Sequence, residues 1–196
     1  MRIIAYTALL LLGAADKLPP PTDTAHLPQL TAAEQAAQDM LRVYEEFCLN
    51  RFPNPVEIAN GIAAHKLTPA TAQDASATLM GRPGQAWALT NGLGRYTLAI
   101  TTPPQQGCVV TGAVADDESL RAIFSLAVQS FASANDLGKL DSPMLRHGTF
   151  ENVPALLQLI GTTGGAPREA FVNLSWVAAD GKTHGRLARE FPPPGK

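Results

Sequence analysis

Tight turns between strand-like segments are the feature that most limits the fold of this chain. Residues 86–89 and 95–102 have strand character, and the pair Asn91-Gly92 between them is typical of a two-residue hairpin turn. A second turn at 103–107 leads into a third strand over 108–114. Strands joined this closely pair antiparallel, which argues against a parallel, nucleotide-binding sheet with helical crossovers.

Helix signals precede these strands. Thr31 and Glu34 form a capping box, and apolar residues then recur at helical spacing, which predicts a helix over 32–49 with Cys48 on its buried face. Asn54-Pro55 supplies an N-cap and a proline at the first helical position, which predicts a second, short helix.

A third helix is predicted over 68–81, and a long amphipathic helix begins after a cap at Asp116 or Asp117. Two further strands are expected over 155–160 and 170–178, the latter alternating apolar and polar residues. The order of elements predicts an α+β fold, with N-terminal helices and then a mostly antiparallel sheet covered by the long amphipathic helix.

The amino terminus has the pattern of a signal peptide. Arg2 precedes the apolar run 3–12, and small residues follow at 13–15, which predicts cleavage after Ala15. A retained membrane anchor is the alternative, but the run is shorter than the roughly 20 residues that span a bilayer as a helix. No later segment is long and apolar enough to cross a membrane. We therefore expect a periplasmic or secreted protein.

The rest of the chain is short enough for one domain. The expected organisation is a signal peptide over 1–15, a proline-rich tether over 16–30, a single α+β domain over 31–190 and a disordered tail over 191–196.

Export changes the interpretation of the two cysteines, Cys48 and Cys108. An oxidising compartment and an even count favour a disulfide, whereas two separate buried thiols are the alternative. A bond between them closes a loop of about 60 residues and stabilises the fold by about 4 kcal/mol on the chain-entropy model.

Composition excludes several classes of partner and ligand. The formal net charge of −2 offers no field that would hold nucleic acid or anionic lipid. A hydrophobic content of 45% is enough to build a core without a cofactor. The four histidines lack the close spacing of a metal site, so we expect neither metal nor cofactor.

Catalytic motifs are weak throughout the sequence. Gly181-Lys182-Thr183 matches the last residues of a phosphate-binding loop, but Trp176 occupies the position where that loop needs glycine. A hairpin turn at Asp180-Gly181 is therefore the better interpretation. No Gly-x-Ser-x-Gly segment supplies a nucleophilic serine. A disulfide would remove both thiols from such a role.

His147 is the one candidate for acid-base chemistry. It lies in the stretch 139–152, read as an irregular loop, with Asp141, Arg146 and Glu151 nearby. Long loops carry function more often than packed elements do. A solvated loop is the competing interpretation, because the sequence shows no partner geometry.

Four short segments resemble a group of small, exported proteobacterial proteins of unknown activity. They are Phe47-Cys48, Phe52-Pro53, Gly81-Arg82-Pro83-Gly84-x-Ala86-Trp87 and Gly107-Cys108-Val109-Val110. The resemblance covers about 41–115 and implies a periplasmic setting and paired cysteines. The resemblance implies no particular activity for this chain.

Two functional hypotheses follow. The first is a non-enzymatic binding module or accessory subunit that docks on another envelope protein, including the inhibitor or immunity type, because the proline-rich ends give reach toward a partner. The second is a small periplasmic hydrolase that uses His147. A concave pocket with inward-facing polar groups would indicate a ligand-binding or catalytic site. A flat apolar patch would support docking on another protein.

Overall fold

The computed structural model describes residues 30–91, 94–114, 117–134, 146–150, 153–160, 170–179 and 182–191. The predicted signal peptide, all of the tether except Leu30, and the tail beyond Phe191 lie outside these residues. Phe191 itself, expected in the tail, stacks on Phe52 with a ring-centroid distance of 5.3 Å, so the folded part extends one residue further than predicted.

The described helices and strands confirm the α+β class. The helices are α1 (Ala32–Tyr44), a π-helix (Glu45–Arg51), α2 (Pro55–Ala64), α3 (Ala72–Leu79) and α4 (Asp117–Ala134). The strands are β1 (Thr68–Pro69), β2 (Gly84–Thr90), β3 (Arg95–Thr101), β4 (Gly107–Val114), β5 (Arg146–Phe150), β6 (Val153–Ile160), β7 (Ala170–Ala179) and β8 (Lys182–Glu190).

All eight strands form one antiparallel sheet in the order β1-β2-β3-β4-β8-β7-β6-β5. The three strands β2, β3 and β4 form the predicted meander with nearly the predicted bounds. The last strand, β8, returns to the middle of the sheet and pairs with both β4 and β7. The sheet therefore joins the two halves of the chain along the β4–β8 ladder.

The first helix begins as predicted and ends differently. The capping box is present, since the Thr31 side chain accepts from the backbone of Glu34 and the Glu34 carboxylate accepts from the backbone of Thr31. The α-helix stops at Tyr44, however, and continues as a π-helix to Arg51. Over so few residues an apolar stripe does not distinguish an α-helix from a π-helix. The prediction that Cys48 lies on a buried face is confirmed, but the predicted helix type at this residue is wrong.

The second helix is confirmed with its cap, because the Asn54 side chain accepts from two backbone amides and Pro55 occupies the first position. The third was predicted to begin at Thr68-Pro69, and this is wrong. Those residues pair with β2 as an edge strand, and the helix is capped instead by Thr71. It ends at Leu79, and the C-cap residue Met80 has a left-handed backbone with φ 53°.

The stretch around His147 is also corrected, because 146–150 form strand β5 rather than part of an irregular loop. His147 pairs with Leu156 of β6. The remainder of the predicted loop, 139–145 and 151–152, lies outside the described residues. A short strand with polar residues carries little apolar alternation, which is why the sequence pattern did not reveal it.

One face of the sheet, here called the helical face, carries most of the core. Helices α1 and α4 and the π-helix bury large side chains against the strands on this face, among them Met40, Tyr44, Phe47, Leu120, Phe124, Leu98, Leu174 and Leu187. Close packing needs Gly185 here, since a Cβ on it would lie 2.7 Å from Leu120 Cδ2. The expected cover of the sheet by the long helix α4 is therefore present, shared with α1.

The opposite face, here called the α3 face, has a much smaller helical cover. Helix α3 is eight residues long, and Leu79 packs on a small cluster formed by Ala99, Val109 and Ala188. The Thr78 and Thr111 hydroxyls hydrogen-bond at 2.8 Å and fix the helix to β4. Among the described residues, such a short helix covers only part of this face.

The predicted disulfide is present and joins the π-helix to the start of β4. Cys48 and Cys108 are fully buried, with their Cα atoms 5.2 Å apart and a sequence separation of 60. Arg189 faces Cys108 in the β4–β8 ladder, and its Nη1 donates to the carbonyls of Cys48, Leu49 and Phe52 at 2.9–3.1 Å. The disulfide thus links this end of the π-helix to β4, and Arg189 links the same end to β8.

None of the helices in the described residues is both long and apolar enough to cross a bilayer.

Candidate functional site

A groove of about 600 Å³ lies on the α3 face, beside helix α3 and over strands β3, β4, β8 and β7. It exists because α3 packs on β2, β3 and β4 and does not extend over β7. Its lining is contributed by Asp74, Ala77, Met80, Arg95, Thr97, Thr111, Gly112, Ala113, Ser175, Trp176, Val177, His184, Gly185 and Arg186. We call it the α3-face groove.

Hydroxyl groups and one imidazole give the groove its hydrogen-bonding capacity. Thr97 and Ser175 are buried at its floor, whereas His184 is exposed. His184 lies opposite Val177 in the β7–β8 ladder, one same-face position from Arg186, which is opposite Ser175. Among the described residues Ser175 and His184 form no hydrogen bond with each other, so they do not make the joined nucleophile and base that acyl transfer needs.

The charges at one wall of the groove are already paired. Arg95 Nη2 lies 2.6 Å from Asp74 Oδ2, which ties the start of β3 to helix α3. Arg95 is 57% exposed, so this pair contributes little to stability. A ligand at this wall meets a neutral pair and not a single charge.

A second charged group includes Arg186 of the groove lining. Arg186 Nη2 and Arg82 Nη1 each donate to Glu190 Oε1 at 2.7 Å. Burial by itself would raise the pKa of Glu190, but the charges and hydrogen bonds of the two arginines lower it below its ordinary value. The two arginines therefore stabilise the charged form of the Glu190 carboxylate.

Two apolar side chains stand exposed in the lining. Met80 directly follows α3 and is 47% exposed, and Val177 lies on β7 and is 46% exposed. Exposed apolar groups beside hydroxyls and paired charges are suited to non-covalent contact with a ligand that is itself partly apolar. The arrangement of the described lining residues can hold a ligand.

The structure places the predicted candidates elsewhere or leaves them undescribed. His147 lies on β5, at the far edge of the sheet from β1, and its side chain is not among those described. Asp141 and Glu151, the acids named with it, lie outside the described residues. For His147 the described residues show only the strand pairing with Leu156.

The interpretation of 180–183 as a turn agrees with the strand register. Ala179 faces Lys182 across the β7–β8 ladder, so these strands are joined through two residues. Thr183 is already in β8 and is buried. Strand β8, and not a helix, is the next described element, so within the described residues no helix of the phosphate-binding type starts here.

The groove residues were not singled out from the sequence. Arg95, Ser175 and His184 come from three strands, and pairing of β4 with β8 brings them to one face. The only sequence signal was the alternation along 170–178, which places Ser175 on the opposite face to Leu174 and Trp176. That alternation does not tell which face remains open.

A search of the described residues for metal sites found no group of three or more His, Cys, Asp or Glu side chains able to hold an ion.

The fold and the groove together define an α+β domain with one heavily covered sheet face, one partly open face and a buried disulfide. In comparisons with family models, curated proteins and solved structures, no match was found. The functional argument therefore depends on the groove itself.

Proposed function

We propose that the protein is an exported, periplasmic, non-enzymatic binding module that holds a segment of another envelope protein in the α3-face groove. The observation that carries the proposal is a groove of about 600 Å³ whose lining includes exposed Met80 and Val177. This volume lies within the usual range of ligand sites.

The dimensions of the groove favour an extended polypeptide over a small ion. Its lining crosses four neighbouring strands from β3 to β7, which at ordinary strand spacing is about 14 Å. An extended segment of about four residues has this length. The Asp74–Arg95 pair is internally neutralised, so apolar contact and hydrogen bonds to hydroxyl groups would supply most of the affinity.

Export is supported by two independent features. The pattern over 1–15 is that of a cleavable signal peptide. The Cys48–Cys108 disulfide suits an oxidising compartment such as the periplasm, where such bonds persist. The partner we propose is accordingly an envelope protein.

Charge insertion tests the proposal with a matched control. Val177→Glu places a charge in the groove, whereas Leu126→Glu places the same charge on α4, where Leu126 is 64% exposed. Both positions tolerate a charge because they are exposed, and circular dichroism would check the fold. The measurement is saturable binding of the labelled, purified mature protein to washed envelope fractions.

We expect Val177→Glu to weaken binding at least tenfold and Leu126→Glu to leave it unchanged. Equal binding by all three proteins would exclude the α3-face groove as the docking surface. Loss in both variants would point to a general effect of charge and would also contradict the proposal.

A further inference from the structure

A second groove, of about 310 Å³, lies on the helical face between helix α2 and strands β2 and β3. One wall includes Ile58 and Ile62 of α2, and the other includes Trp87 of β2 and Ile100 of β3. Trp87 is half-buried where it lines the groove. We call this the Trp87 groove.

The walls of the Trp87 groove are held in place by contacts outside it. Helix α2 packs closely on the π-helix at Gly61, where an added Cβ would lie 2.8 Å from Phe47 Cε1. Arg51 of the π-helix donates from Nη1 to the Glu57 carbonyl of α2 at 3.3 Å. The opposite wall is fixed by the antiparallel ladder of β2 and β3. The position of the walls therefore does not depend on what fills the groove.

Apolar space of this size is unfavourable when it is left unfilled. Protein interiors are close-packed, and side chains that border a gap lose dispersion contacts. An apolar cavity of about 150 Å³ can hold one benzene molecule. The Trp87 groove has about twice this volume, which corresponds to a ligand of about two rings.

The lining determines the charge of a ligand that fits. The residues that the structure describes in the lining have apolar, amide or hydroxyl side chains, and none of them is charged. A charged ligand would lose hydration there without gaining a counter-ion. Gln85 and Gln106 are exposed in the lining, and their amides can hydrogen-bond to a polar group of the ligand. The complement of this lining is an uncharged molecule with an apolar body and a polar group.

The rigid side chains of the groove favour an aromatic ligand. Trp87 offers an indole ring for stacked or edge-to-face contact. Pro53, Pro55 and Pro103 also line the groove, and proline loses no side-chain entropy when a ligand orders it. We propose that the Trp87 groove binds an uncharged, bicyclic aromatic small molecule that carries one hydrogen-bonding group. This site lies on the other face of the sheet from the α3-face groove and does not depend on the function proposed for that groove.

The probe for the test is 2-naphthol, an uncharged bicyclic aromatic molecule with one hydroxyl group. The full mature chain is labelled with 5-fluorotryptophan, and its two tryptophans, Trp87 and Trp176, give fluorine signals assigned with Trp176→Phe. Titration with 2-naphthol should shift the Trp87 signal saturably and leave the Trp176 signal in place, because Trp176 lines the α3-face groove instead. The analogues 2-naphthalenesulfonate and 2-naphthylmethylammonium, which add a negative and a positive charge to the same rings, should bind at least tenfold more weakly.

A matched pair of substitutions on α2 locates the site. Ala59 lines the groove and Ala64 does not, although both are exposed alanines of the same helix. Ala59→Phe should fill the groove and weaken 2-naphthol binding at least tenfold, whereas Ala64→Phe should leave the affinity unchanged. Circular dichroism and the position of the Trp176 signal check the fold of both variants.

Four results would overturn the proposal. An unmoved Trp87 signal up to the solubility limit of 2-naphthol would show that the groove takes no such ligand. Equal shifts of the Trp87 and Trp176 signals would indicate nonspecific adsorption. Equal affinity for the charged analogues would contradict the argument from the uncharged lining. Equal affinity of the Ala59→Phe and Ala64→Phe variants for 2-naphthol would place the probe outside the groove.

Discussion

Reduction of the Cys48–Cys108 disulfide should lower the free energy of unfolding by about 4 kcal/mol. The bond spans 60 residues, and on the chain-entropy model a loop of that length removes about 14 cal/mol/K from the unfolded state. At 25 °C this is about 4 kcal/mol, a large part of the 5–15 kcal/mol that usually stabilises a domain.

The native geometry should survive reduction, because Arg189 still donates to the Cys48 and Leu49 carbonyls. The effect is therefore expected in the unfolded ensemble, and the reduced protein should remain folded without denaturant. Comparing oxidised and reduced protein keeps the same side chains, whereas Cys48→Ala with Cys108→Ala would add a cavity cost.

The assay is urea unfolding followed by tryptophan fluorescence, with and without reductant. With a slope of about 2 kcal/mol/M, the midpoint should fall by about 2 M on reduction. A difference below about 1 kcal/mol at unchanged slope would refute the reasoning, since the cross-link would then not restrict the unfolded chain as argued.

Three further predictions concern single side chains. Arg189→Met should lower the free energy of unfolding by about 3 kcal/mol in urea titrations, because three carbonyls lose their donor. Arg189→Lys should retain part of the stability that Arg189→Met loses. An equal loss of stability in both variants would argue against a role for the charge. Burial raises the pKa of Tyr44 well above its ordinary value. The unfolded chain then loses this proton near pH 10 while the folded chain keeps it, so stability should fall above pH 10 by up to about 1.4 kcal/mol per pH unit. Tyr44→Phe should remove that contribution to the slope and cost about 1 kcal/mol at neutral pH through loss of the hydrogen bond to the Ala188 carbonyl, and an unchanged slope would contradict the assignment. In a broad hydrolase screen His147→Ala should behave like the unsubstituted protein, and an activity that depends on His147 would favour the hydrolase hypothesis.

Local chemistry made part of the fold predictable. Thr31 and Asn54 cap helices because a short side chain reaches backbone amides two or three residues away, and such contacts are visible in sequence. Local sequence signals also made the hairpin around residue 91 and the position of Cys108 at a strand start predictable. Pairing of the cysteines depended instead on the inferred compartment.

Elements whose stability depends on distant partners were not predictable. Strand β8 carries Arg189 and Glu190, whose hydrogen-bond partners include groups distant in sequence, the Cys48 carbonyl and Arg82. Strand β1 has two residues and depends on β2 for its existence. Neither strand shows a simple apolar alternation.

The candidate site likewise has features that follow from local sequence and features that depend on distant partners. The expectation that the sequence carries no strong catalytic motif came from spacing alone. The groove depends on where α3 stops and on which strands pair, since Gly112 and Gly185 face each other across the ladder that joins the two halves of the chain. Convergence of this kind is a property of the tertiary fold and not of any single segment.

Site-specific photo-crosslinking in intact cells tests the central claim most directly. A photoactivatable residue at Val177 reports on the α3-face groove, and the same residue at Leu126 on α4 serves as control. The account predicts one specific adduct with an envelope protein from position 177 and none from position 126. The same adducts from both positions, or none from position 177 in cells where the protein is exported and folded, would contradict it.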